Sequence, residues 1–124
     1  MGTVSDPPAE KDAAGILRAA LDALDQPVML YDDERIVFAN VAAHDVLGAS
    51  RPHELIGRSV ESFLIPEMRE VSDARRSYVL ESGLTLTNLP IKVVRADGET
   101  VQLKVDIRPI SYDGSTVAMV TLAR

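Results

Sequence analysis

Apolar and polar residues follow two different periods along the chain, which predicts both helices and strands. Residues 12–25 carry apolar side chains every three or four positions, the pattern of an amphipathic helix: Ala13, Ile16, Leu17, Ala20, Leu21 and Leu24. Residues 100–110 alternate strictly between apolar and polar side chains, the pattern of a half-buried antiparallel strand. The chain therefore combines both types of element.

Four further apolar runs have the length and composition of strands. They cover residues 27–31, 35–39, 84–95 and 116–123. Polar turn residues separate neighbouring runs, namely Asp32-Asp33-Glu34, Ala96-Asp97-Gly98-Glu99 and Tyr112-Asp113-Gly114-Ser115, and the last two are typical of hairpins. Because Pro90 cannot donate a main-chain hydrogen bond, we expect it near a sheet edge or a bulge.

Asn40 marks the change from strand to helix in the middle of the chain. Its side-chain oxygen can cap a helix over residues 41–47, and Gly48 suits the left-handed residue that ends such a helix. A second short helix is predicted over residues 59–65, with Phe63 and Leu64 on its buried side.

A longer helix is predicted over residues 67–82. Pro66 is well placed in its first turn, and Gly83 is placed to end it. We expect one face of this helix to be buried through four apolar residues: Met68, Val71, Tyr78 and Val79.

The order of helix, two strands, short helices, long helix and three strands predicts an α+β domain with a five-stranded antiparallel sheet. Within that order, an asparagine, a small residue two positions on, a hydrophobic-Gly pair and a Glu-Leu-Ile-Gly stretch resemble the core of a PAS domain. Here they are Asn40, Ala42, Leu47-Gly48 and Glu54-Leu55-Ile56-Gly57. The Asp97-Gly98 hairpin and Arg108-Pro109-Ile110 also resemble family features, so that the resemblance covers nearly the whole chain.

The resemblance implies how the strands are arranged. Strand two is expected at one edge beside strand one, with strand five between strands one and four. Together with the polar, proline-bearing N-terminus and the apolar spacing of the leading helix, it divides the chain into a disordered segment, residues 1–11, an amphipathic helix, residues 12–25, and a PAS core, residues 26–124. It also implies a sensory module that regulates an effector domain outside this chain, and we expect the chain to be an excised sensor.

The leading helix has two interpretations. In the first it pairs with a second copy and forms a homodimer through Ile16, Leu17, Ala20, Leu21 and Leu24. In the second it covers the outer face of its own sheet.

Composition narrows the functional classes. A chain of 124 residues suits one domain, and the lack of cysteine excludes disulfides and thiol catalysis. A net charge of -6 argues against a nucleic-acid surface. The N-terminus lacks the features of a secretory signal, and no apolar run has the length of a membrane span. We therefore expect a cytoplasmic domain without membrane contact.

Catalytic and metal sites are not expected. The two histidines, His44 and His53, lie in a short helix and a polar connector without a nucleophile beside them. The acidic turn Asp32-Asp33-Glu34 lacks the ligand spacing of a known calcium loop. We interpret the chain as a protein that is not an enzyme.

A PAS-like fold implies a cavity between the sheet and the helices. The expected lining is Phe38, Phe63, Tyr78, Ile91, Leu103, Val105 and Met119, although these side chains can equally fill the core without a cavity. Arg75 lies within the apolar face of the long helix. If it points inward, it favours an anionic ligand, with Tyr78 or Asn88 as further partners.

The family's cofactors can be compared with the residues present. His-ligated haem is disfavoured because the long helix has no histidine, and adduct-forming flavin is disfavoured because the chain has no cysteine. The ligand therefore stays unassigned. Two hypotheses remain beside a weaker enzymatic one: a sensory module with a small ligand or partner, and a ligand-free homodimerisation domain.

Overall fold

The computed structural model describes residues 10–32, 35–50 and 54–124. The predicted disorder of residues 1–9 lies outside the described residues, as do Asp33, Glu34 and His53. Residues 10 and 11 are helical.

In the part of the chain that the structure describes, three α-helices and five strands follow one another in the predicted order. They are α1 (Glu10–Asp22), β1 (Val28–Tyr31), β2 (Ile36–Ala39), α2 (Val41–Val46), α3 (Pro66–Ser82), β3 (Leu86–Val94), β4 (Thr100–Tyr112) and β5 (Ser115–Ala123). A short 3-10 helix, Val60–Phe63, precedes α3. The first helix ends at Asp22, three residues before the predicted end.

The five strands form one antiparallel sheet in the order β2-β1-β5-β4-β3. This is the arrangement that the PAS resemblance implied. Pro90 lies in the edge strand β3, close to a register shift between Leu86 and Leu89, so the prediction of an edge or bulge is confirmed. Asn88 occupies that irregularity with a φ of 57°.

The predicted helix boundaries are confirmed at Asn40 and Gly83. The side-chain oxygen of Asn40 accepts a hydrogen bond from the Ala43 amide at the start of α2. Gly83 ends α3 with a left-handed φ of 73°, and Pro66 lies at its first position. These residues have the conformations that helix ends require.

The inner face of the sheet packs against α2, the 3-10 helix and α3, and forms the larger core. The predicted buried face of α3 was wrong at two positions, because Val71 and Tyr78 are 42% and 45% exposed. Val79 is buried as predicted, and Ser72, which was not predicted, is buried with it. The prediction missed Ser72 because the analysis of apolar spacing counts serine as polar. The predicted buried face was therefore rotated away from the true one.

The outer face of the sheet forms a second core beneath α1. Its buried members are Leu21, Val28, Leu30, Phe38 and Val117. Arg18 Nη1 donates a 2.8 Å hydrogen bond to the Tyr112 hydroxyl, and Asp22 Oδ1 accepts one of 3.2 Å from the Val41 amide. The leading helix therefore covers its own sheet.

Candidate functional site: an interior cavity

A cavity of about 30 Å³ lies between the inner face of the sheet and α3. Most of its wall is apolar and comes from β1, β3, β4, β5 and the 3-10 helix. These side chains include Met29, Val93, Ile107, Val120, Leu122 and Val60. The strands supply them because alternate residues of a strand point to the same face.

Four of the residues expected at the cavity line it: Phe63, Arg75, Ile91 and Val105. Leu103 is buried in the same inner core. Ile91 pairs with Leu103 across β3 and β4. These residues therefore share one side of the sheet, the side that α3 covers.

Phe38 and Met119 lie on the opposite side of the sheet, in the cluster beneath α1, so the expectation that they line the cavity was wrong. Both are paired with Leu30 of β1, a residue of the outer cluster. Because β2 and β5 are apolar on both faces, their sequences do not reveal which alternate residues point inward.

Tyr78 and Asn88 are both exposed and do not line the cavity. Tyr78 lies on the solvent side of α3, whereas Asn88 lies at the bulge of the edge strand. The main-chain N–H of Asn88 donates a 2.7 Å hydrogen bond to Asp106 Oδ1. Neither side chain is placed to bind a molecule inside the cavity.

Arg75 reaches the cavity wall, but its guanidinium also binds the sheet edge. Nη1 donates a 2.9 Å hydrogen bond to the main-chain carbonyl of Pro90. This contact joins α3 to β3 at a position where the proline has no N–H to donate. The interpretation of Arg75 as the receptor of a buried anion stays a prediction.

Two polar residues of the wall were not singled out by the sequence patterns, namely Tyr31 of β1 and Ser72 of α3. They are 2% and 5% exposed. Tyr31 belongs to a wholly buried strand, and Ser72 occupies the inner face of α3. The i, i+4 spacing of Met68 and Ser72 was a signal that could have placed Ser72 inward, whereas β1 is apolar on both faces and gave no such signal for Tyr31.

The phenol of Tyr31 is buried, and an arginine side chain lies near its ring. The Arg76 guanidinium carbon lies 5.9 Å from the centre of its ring, and Arg76 also pairs with Asp73. Burial raises the pKa of Tyr31 to about 12, although Arg76 and Arg75 act in the opposite direction. The phenol is therefore neutral at physiological pH.

The volume of the cavity limits what it can hold. About 30 Å³ gives room for roughly two or three atoms of the size of a water molecule. Pockets for drug-sized ligands or cofactors measure about 300 Å³ or more. A flavin or haem would require a large expansion of this interior.

Other candidate chemistry is sparse in the described part of the chain. His44 is half-buried on α2. Across residues 10–32, 35–50 and 54–124, no three side chains of the His, Cys, Asp or Glu type are grouped so as to hold a metal ion. None of the helices in these ranges is both long and apolar enough to cross a membrane.

Solved structures with the same fold include several bacterial proteins. The PAS domain of the nitrogen regulation protein NR(II) from Vibrio parahaemolyticus is 21% identical, with a TM-score of 0.70 over 88% of this chain and 97% of that one. The Rhodobacter sphaeroides LOV protein is 17% identical, with a TM-score of 0.73, and this chain covers 66% of it with 90% of its own length.

A third similar structure is the PAS domain of a LuxR-family transcriptional regulator from Burkholderia thailandensis in complex with ethanol. It is 20% identical, with a TM-score of 0.66 over 84% of this chain and 92% of that one. No curated protein matches the sequence. The family model of the PAS domain matches residues 25–123, so the chain belongs to the PAS domain family.

Proposed function

We propose that this chain is the sensory part of a signalling protein, in which a small ligand or a partner regulates an effector domain outside the chain. PAS domains of this family are sensory and signalling modules that are typically not catalytic. The observation that carries the proposal is the cavity between α3 and the inner face of the sheet, with Tyr31, Ser72 and Arg75 in its wall.

The same strands contact both the cavity and α1. In β1, Met29 and Tyr31 face the cavity, whereas Val28 and Leu30 face α1. Neighbouring residues of one strand cannot move independently. A change in packing at the cavity therefore also changes the packing of the outer face against α1. This strand provides a route from an interior ligand to the helix at the start of the domain.

The mechanism is a shift between two packings of α1 on the sheet. A ligand that fits the cavity better in one packing raises the population of that packing by its difference in affinity. The similar Burkholderia domain was solved in complex with ethanol, which supports a small molecule as the ligand of this chain. The effector domain stays unassigned, because the described residues do not distinguish a kinase, a cyclic-dinucleotide enzyme, a transcription factor or a chemoreceptor.

Hydrogen exchange tests this proposal directly. Native mass spectrometry would first identify a copurified small molecule, and a panel of small molecules would supply further candidates. A ligand that protects the cavity strands is expected to change exchange in residues 16–22 of α1 as well. The hairpin turn at residues 95–99 is the internal control. Protection of the cavity without any change in α1 would contradict the sensory mechanism.

The alternative function is a homodimerisation domain without a ligand. It is favoured by the small cavity and by the exposure of three of the five residues predicted to pair, namely Ile16, Ala20 and Leu24. Leu17 is half-buried and Leu21 is buried, and both contact the outer cluster. The surface available for pairing is therefore narrower than the whole predicted apolar face.

A further inference from the structure

Two hydroxyl groups at the cavity, those of Tyr31 and Ser72, differ from the buried side chain of Asn40 in their hydrogen bonding. None of the hydrogen bonds of the described residues involves either hydroxyl, and the one side-chain atom of those residues that is itself fully buried without a partner is Arg108 Nε. Both residues are more than nine-tenths buried, and both line the cavity. By contrast, the buried Asn40 has a partner for each of its side-chain polar atoms.

Buried hydroxyl groups are normally hydrogen-bonded, because removal from water without a new partner is unfavourable. Here one hydroxyl comes from the sheet and the other from α3, so they lie on two different walls. A molecule inside the cavity can bind both walls through oxygen, since a hydroxyl can donate and accept. The remaining wall is mostly apolar and suits a short hydrocarbon portion.

The charges around the cavity favour a neutral occupant. Arg75 is bonded to the Pro90 carbonyl at the sheet edge, and Arg76 is paired with Asp73. Burial raises the pKa of Tyr31 despite both guanidinium groups, so the interior already disfavours a negative charge on an oxygen at its wall. An anionic occupant would meet the same unfavourable burial.

We infer that the cavity binds a small neutral molecule with one hydroxyl or carbonyl oxygen, held by hydrogen bonds to the hydroxyls of Tyr31 and Ser72. Its volume of about 30 Å³ sets the size at two or three non-hydrogen atoms, as in a one- or two-carbon alcohol or aldehyde. This inference rests on the proposed sensory function because it assigns the ligand class of the same cavity.

Titration with ethanol and formate tests the assignment, because both have three non-hydrogen atoms and only formate is charged. Methyl groups of the lining residues Val105 and Val120 report binding by NMR. In the wild type, ethanol is expected to give saturable shifts at these methyls and formate none. Shifts that grow linearly with ethanol, without saturation, would overturn the inference.

Two conservative variants test the hydroxyl partners. Tyr31→Phe and Ser72→Ala each remove one hydroxyl, and each is expected to weaken ethanol binding by about three- to tenfold. Tyr78→Phe is the matched control, since it removes an exposed hydroxyl from α3 and should leave binding unchanged. Dispersed methyl spectra confirm that each variant is folded. Unchanged ethanol affinity in both cavity variants would refute the assignment.

The outcomes separate this inference from the sensory proposal. Saturable formate binding that changes exchange in α1 would overturn the neutral ligand while supporting a sensor. Ethanol binding that depends on Tyr31 and Ser72, without altered exchange in α1, would support the ligand class and contradict the sensory mechanism.

Discussion

The side-chain nitrogen of Asn40 donates a 2.8 Å hydrogen bond to the main-chain carbonyl of Leu21, which fixes the end of α1 to the start of α2. The same nitrogen donates to the Gln26 carbonyl, and the side-chain oxygen accepts from the amides of Val28 and Ala43. One fully buried side chain therefore joins α1, β1 and α2.

Replacement of Asn40 by alanine is expected to lower the free energy of unfolding by about 3–5 kcal/mol, because buried main-chain groups of three segments lose their partner. Urea denaturation measures this loss. Asn40→Asp keeps the acceptor for Val28 and Ala43 but removes the donor to Leu21. It is therefore expected to increase hydrogen exchange in α1 more than in α2. Equal increases in both helices would contradict the role of Asn40 in fixing α1.

Arg95 closes the other end of α2, close to Gly48. Its Nη1 donates a 2.9 Å hydrogen bond to the Val46 carbonyl. Gly48 has a left-handed φ of 70°, and a Cβ atom there would lie 2.9 Å from Arg95 Nη2. A side chain at position 48 would thus displace the guanidinium as well as strain the main chain.

Gly48→Ala is expected to cost about 2–3 kcal/mol, from about 1–2 kcal/mol of backbone strain and the loss of one hydrogen bond. Gly57→Ala is the matched control, since its φ is 83° and no atom lies within 4 Å of its Cβ position. It should show the strain alone. In an Arg95→Ala background the two glycine substitutions should cost the same. A persistent difference there would mean that Arg95 is not the cause.

The positions of most elements could be predicted because their ends carry residues with specific conformations. Asn40, Pro66 and Gly83 each fit a particular helix end, and the Asp97-Gly98 turn fits a hairpin. Strand order came from the family resemblance instead, since the alternation of apolar residues describes a strand and not its neighbours. The positions of the elements were therefore predicted from local residue chemistry, and the strand order was predicted from the family resemblance.

The cavity was harder to predict than the fold. Phe38 and Met119 lie in strands that are apolar on both faces, so a one-residue change of register moves them from one core to the other. Ser72 and Tyr31 have ordinary sequence contexts, and only the packing of α3 onto the sheet gives them a shared cavity. Whether a hydroxyl has a hydrogen-bond partner depends on which residues pack around it, and this cannot be read from a single sequence.

Ile16→Glu tests the homodimerisation hypothesis. Ile16 is 65% exposed, so a charge at this position should change the stability of the folded monomer by about 0.5 kcal/mol or less. If copies pair through α1, the charge is expected to shift the dimer to monomer in sedimentation velocity experiments. Val41→Glu is the matched control, because Val41 is 58% exposed outside α1. A dimer that survives Ile16→Glu would contradict pairing through this helix.

The buried phenol of Tyr31 predicts a loss of stability at high pH. Its pKa is raised to about 12 from 10.0, so the unfolded chain releases this proton at lower pH than the folded protein does. The stabilisation is fully present below pH 10 and falls by about 2–3 kcal/mol as the pH rises to 12. Urea denaturation at several pH values between 9 and 12 measures this decrease in the free energy of unfolding. In Tyr31→Phe the decrease should be smaller by about 2–3 kcal/mol. Tyr78→Phe, which alters an exposed phenol, should follow the wild type. Identical pH profiles for Tyr31→Phe and the wild type would show that the phenol ionises as readily in the folded protein as in the unfolded chain.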